Sequence, residues 1–210
     1  MRMLKLFILV FISVGWLSCT KEPLKNMTDE DSRIYITNHD STVTFSQFST
    51  FSISDSVAVI SNNQLEGRTA TEADRAFIEA VKANLIQRGF VQVARDQQPD
   101  LGVTVSRVYN TYTGLMEYQD YYGGYNDYYD PFYWGYPGSS YYAPTYYGVY
   151  EVTEGAMNID ILNLKGAAGT NQIRVIWTGL IRGSGIFNSQ TAGSQVSALF
   201  EQSPYLQTNP

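Results

Sequence analysis

The chain is poor in the residues that most active-site chemistry draws on. One cysteine and one histidine in 210 residues leave no disulfide framework and no Cys/His metal site. His39 stands alone in a polar stretch, so a histidine-based triad has no partners and an exposed loop residue is expected. The phosphate loop GxxxxGKS/T, a strand-linked GxGxxG, the GxSxG elbow and the HExxH zinc helix are all missing. Charged residues make up only 16% of the chain, and the 20 acids outnumber the 14 bases. Nucleic-acid binding needs a basic stripe to displace counterions, so that class is excluded. A membrane-spanning helix is excluded as well: the apolar run Leu6–Leu17 has 12 residues, whereas crossing a bilayer takes roughly 20. No catalytic residue, cofactor or metal is expected.

What the N-terminus does have is order. Arg2 and Lys5 precede the apolar run, and the lone cysteine, Cys19, follows it, the arrangement of an export signal over residues 1–18. Trp16-Leu17-Ser18-Cys19 resembles the lipobox of bacterial lipoproteins, which implies that Cys19 receives a diacylglyceryl group and becomes the mature N-terminus. Trp16 departs from the usual Leu of that motif, and an ordinary secretory signal that leaves a free thiol is the competing reading. Loss of residues 1–18 removes two bases and no acid, so the charge of −6 becomes −8. Residues 19–41 read as the lipidated cysteine and a polar tether, because Thr20–Asp31 is charged and has no apolar period.

A single domain is expected over residues 42–206. Thr42–Phe45 and Phe48–Ile53 read as a first strand interrupted at Ser46-Gln47. Thr69 and Glu72 form a capping-box pattern ahead of Phe77, Ile78, Val81 and Leu85 at helical spacing, and Gly89 ends that helix. Phe90–Val93 and Leu101–Ser106 read as strands on either side of Gln98-Pro99-Asp100. Met157, Ile159 and Ile161 alternate with Asn158 and Asp160, and Ile173–Thr178 alternates likewise, with a connection at Lys165–Thr170. A second helix is predicted over Gln190–Gln202. This element order predicts an α+β fold of two layers: a largely antiparallel sheet, two helices on one face and a long Tyr/Gly-rich insertion.

That insertion, at about 109–150, holds 15 of the 17 tyrosines and neither lysine nor arginine. Three readings compete: a low-complexity mobile loop, a protein-contact surface, and a glycan or peptidoglycan contact through stacking on Tyr121, Tyr122, Tyr128, Tyr129 and Trp134. Asp120, Asp127 and Asp130 offer oxygen atoms for calcium but lack EF-hand spacing. The pairs Asp127/Asp130 and Glu151/Glu154 are the carboxylates a hydrolase would use, with solvated acids the commoner outcome.

Five fragments in order, FSQFSTFSI (45–53), AFIEAVKANLIQRGFVQV (76–93), QPDLGVTV (98–105), GAMNIDILNL (155–164) and RVIWTGLIRG (174–183), resemble the envelope lipoprotein family defined as domain of unknown function 4136. The resemblance spans about Phe45 to Pro204 and implies the fold and an address, the outer membrane of a Gram-negative cell, with no catalytic residue to carry over. The expected role is a non-catalytic envelope lipoprotein that contacts another envelope protein. A cell-wall glycan is the alternative partner, and a hydrolase using local carboxylates is third.

Overall fold

The computed structural model describes residues 27–61, 64–109, 115–117, 133–136, 140–142, 147–149, 155–170 and 172–209. Its centre is a mixed, open sheet in which β1 (Ile34–His39), β11 (Gln172–Arg182), β10 (Ala156–Asn163) and β6 (Leu101–Tyr109) follow one another in antiparallel pairs. The far side of β6 carries two strands end to end, both parallel to it. β2 (Thr50–Ile53) covers Leu101–Val103, and β3 (Val57–Ser61) covers Ser106–Tyr109. β4 (Gln64–Thr69) folds back on β3, and β5 (Val91–Gln92) extends the sheet beyond β2. β7 (Leu115–Glu117) pairs with β9 (Tyr147–Val149) in a separate two-stranded ribbon, while β8 (Ser140–Tyr142) runs parallel to the start of β11.

Both long helices, α1 (Glu72–Gln87) and α2 (Ala192–Glu201), lie on one face. Phe77, Val81 and Leu85 of α1 and Val196, Leu199 and Phe200 of α2 close over Val103, Val105, Met157, Ile159 and Trp177. Truncating any one of these side chains to alanine costs about 2–5 kcal/mol, since little can collapse into the space. Arg88 locks the two helices together. It caps α1, and its guanidinium donates to the carbonyls of Ser203 (2.7 Å), Leu206 (3.2 Å) and Phe200, three acceptors at and just beyond the end of α2. Gly89 follows with φ of +92°, the left-handed C′ position expected of it.

The α+β architecture is the expected one, and four boundaries differ. Ile34–His39 is a sheet strand, so the domain begins inside the segment read as tether. Tyr35 packs on the helix-side core and Ile36 on the opposite one, which makes this edge strand part of the fold. Phe45–Gln47 is a 3₁₀ turn with Phe45 and Phe48 buried, and no strand forms at 42–45. The β3–β4 hairpin has no counterpart among the expected elements. The capping box lies two residues later than expected: Thr71 caps α1, and Asp74 accepts from the Thr71 backbone N–H and hydroxyl, both at 2.8 Å. Arg107 of β6 decides between the two patterns, because its guanidinium lies 2.6 Å from the fully buried Asp74 carboxylate.

Candidate functional site

Of the tyrosine segment, residues 133–136 show how it meets the domain. Gly102 of β6 has no side chain, and the Trp134 indole fills that space: a Cβ on Gly102 would stand 3.2 Å from Trp134 Cδ2 and Cε2 and 3.1 Å from Leu164. Trp134 is therefore a buried peg, 6% exposed, in a second apolar cluster with Leu162, Leu164, Ala167 and Ile173 on the face away from the helices. This corrects the expectation that it is an exposed stacking platform. Tyr133 packs edge-on against Trp134 at 4.9 Å, with the Arg95 and Arg68 guanidinium carbons 4.6 and 5.0 Å from its ring centre. Tyr136 donates its hydroxyl to the Leu164 carbonyl at 3.3 Å.

These contacts leave a cleft of about 540 Å³ where three distant pieces of chain meet: residues 95–100, 134–136 and 164–166. Asp100 is held firmly there. Its Oδ2 accepts from the Ser49 and Thr50 backbone N–H groups at 2.8 and 3.3 Å, and its own N–H donates to Thr50 Oγ1 at 2.9 Å. Oδ1 is turned toward Lys165 Nζ at 3.8 Å, while that ammonium donates to the Gln47 carbonyl at 3.2 Å. Gln98, on the rim, has φ of +53°, a left-handed conformation that costs a side-chain-bearing residue roughly 1 kcal/mol.

A larger cleft, about 680 Å³, opens beside the start of α1 and the 183–189 loop. Its one cation, Arg107, is already engaged by Asp74, by the Thr71 hydroxyl at 2.9 Å and by the Phe187 ring at 4.6 Å.

The face away from the helices also holds a polar stripe. Asn38, Thr178, Asp160 and Thr104 stand in register across β1, β11, β10 and β6, with Asn158 and Ser106 in the next row. Asn158 donates to Asp160 Oδ2 at 2.6 Å and accepts from the Thr178 hydroxyl at 3.1 Å. Burial pushes the Asp160 carboxyl up to about 7, against the opposing hydrogen bond from Thr178. Asn158 and Asp160, the polar positions in the alternation along β10, are both fully buried.

Among the other expected residues, His39 ends β1, half-buried and stacked at 4.0 Å on Tyr205, so it is not the free loop residue anticipated. Cys19, Tyr121, Tyr122, Tyr128 and Tyr129 lie outside the described residues, as do Asp120, Asp127, Asp130, Glu151 and Glu154. Among the described residues there is no group of three potential metal ligands, and no helix is long and apolar enough to cross a membrane. The cleft at Trp134 is hidden in the sequence because about 30 or more residues separate its three pieces; only Pro99-Asp100, as a turn, and Trp134, as an aromatic, give any signal.

Comparison with known proteins supplies a family and a structural relative. The family model for a domain of unknown function (DUF4136) matches residues 36–205. A crystal structure of a family protein from Bacteroides thetaiotaomicron is similar at a TM-score of 0.65 and 28% identity, covering 85% of this chain and 100% of that one. A dodecameric PelC variant from Paraburkholderia phytofirmans aligns over 84% of this chain and 100% of its own, at 12% identity and a TM-score of 0.40. No curated protein matches.

Proposed function

We propose that this chain, which belongs to the family of the domain of unknown function 4136, is a lipid-anchored envelope protein that binds a partner protein and carries no catalytic activity. The anchor is Cys19, at the end of a charged and apolar export signal, and its address is the outer membrane of a Gram-negative cell. Diacylation with a further acyl chain gives such a cysteine stable membrane attachment without a spanning helix. The observation that carries the binding reading is the pinning of Tyr133–Tyr136. The middle of the tyrosine segment is fastened to the sheet by a buried indole, and its ends leave from the paired strands β6 and β10. A tyrosine-rich stretch tied to a rigid sheet offers large contact area at low side-chain entropy cost.

Two variants test this reading. Cys19→Ala abolishes acyl-chain labelling and releases the protein from the membrane fraction; a variant still labelled overturns the anchor. Deleting Asp120–Asp130, which spares the Trp134 peg, removes a specific co-purifying envelope protein; an unchanged set of bound proteins overturns the contact role.

One observation favours a second reading, binding of a cell-wall glycan. The peg and Tyr136 form part of the wall of a cleft that also carries cationic, carboxylate and amide groups. Mixed apolar and polar linings of this size accommodate small ligands.

A further inference from the structure

We infer that the cleft between residues 95–100, 134–136 and 164–166 binds an acidic saccharide unit, a sugar ring bearing one carboxylate. The inference rests on the glycan reading above and gives it a site and a ligand charge. Arg95 is the central observation. Its guanidinium is stacked at 4.6 Å on Tyr133, so its orientation is set in advance, and no described residue accepts a hydrogen bond from it. A planar guanidinium held in a fixed orientation is the fork that pairs bidentately with a carboxylate.

The rest of the cleft fits the remainder of such a ligand. Lys165 supplies a second cation, and among the described residues Asp100 Oδ1 has no N–H donor nearer than Lys165 Nζ at 3.8 Å. That oxygen and the Gln98 amide suit sugar hydroxyls, which both donate and accept. Trp134 and Tyr136 provide the apolar wall for the ring's C–H face, and about 540 Å³ holds one or two sugar units. Charge selects among anions. Two cations and one carboxylate leave the walls at +1, complementary to a monoanion, while the −8 of the mature chain opposes approach of a dense polyanion. Asp96 neighbours Arg95 in sequence but does not line the cleft.

The test is calorimetry on the lipid-anchored mature chain in detergent micelles, with methyl β-glucuronide, a sugar ring bearing one carboxylate, and the neutral methyl β-glucoside as probes. The glucuronide binds at least about tenfold more tightly than the glucoside, and Arg95→Ala and Lys165→Ala each weaken it by about tenfold. Arg95→Lys, which keeps the charge and loses the fork, restores only part of the affinity. Both side chains are exposed and neither contributes to the core, so the variants fold; their denaturation midpoints match the parent. Equal affinity for both glycosides overturns the acidic ligand and leaves the glycan reading standing. Absence of heat with either probe, or acidic-probe binding indifferent to both alanine variants, overturns the site itself.

Discussion

Replacing Asp160 by asparagine changes how the domain's stability depends on pH, and the sign follows from where the carboxyl sits. Asp160 is fully buried in the polar stripe, and burial raises its pKa from 3.8 to about 7. Well below the ordinary carboxylate pKa the group is protonated in both folded and unfolded chains and contributes no pH dependence. Between about pH 4 and 7 the unfolded chain loses the proton while the folded chain keeps it, so stability falls as pH rises. Each tenfold difference in proton affinity between the two states is worth about 1.4 kcal/mol, which puts the full loss on the order of 4 kcal/mol, with no further change once the folded chain has also ionised. Asparagine has nearly the shape of the protonated acid and still accepts from Asn158. Asp160→Asn is therefore expected to flatten the pH dependence between about 5 and 8 and to be several kcal/mol more stable than the parent at about pH 8. Urea denaturation of the mature chain at half-unit pH steps measures both quantities. Parallel curves for parent and variant over that range refute the assignment of a neutral, buried carboxyl.

Two further substitutions test contacts of β6, one with α1 and one with the Trp134 peg. Arg107→Ala leaves the buried Asp74 carboxylate without its cation, and a loss of about 3–5 kcal/mol is expected, read as a lower urea midpoint at an unchanged slope. Gly102→Val sets a branched side chain against the Trp134 indole at about 3.2 Å. It is expected to expel the peg, cost about 1–3 kcal/mol and shift tryptophan emission to the red; unshifted emission contradicts the packing described.

The parts of the fold legible in the sequence are those whose signal is local and periodic. Phe77, Ile78, Val81 and Leu85 repeat at the spacing of one helical face, and Met157, Ile159 and Ile161 at that of one strand face; both lie in the helix-side core. β1 is not legible because IYITNH is short, lies at an edge and follows a charged stretch, so its half-buried positions resemble a solvated segment. The capping box is ambiguous in principle. Thr69/Glu72 and Thr71/Asp74 share one pattern, and the choice is made by Arg107, 33 residues beyond Asp74. Alternation along β10 separates two faces correctly but cannot reveal that both are covered, so the burial of Asp160 is not legible in it. Trp134 stands out as an aromatic, but Gly102, which leaves the space that receives it, lies 32 residues away and has significance only after folding.

In the proposed role, a domain anchored through Cys19 meets its partner through the tyrosine segment. A photo-crosslinking residue placed at Tyr128 in intact cells tests it most directly, with the same residue at Ile86, exposed on α1 and remote from the segment in sequence, as the control. One discrete envelope-protein adduct is expected from position 128 and none from position 86. The same adducts from both positions, or no adduct from 128, would contradict it.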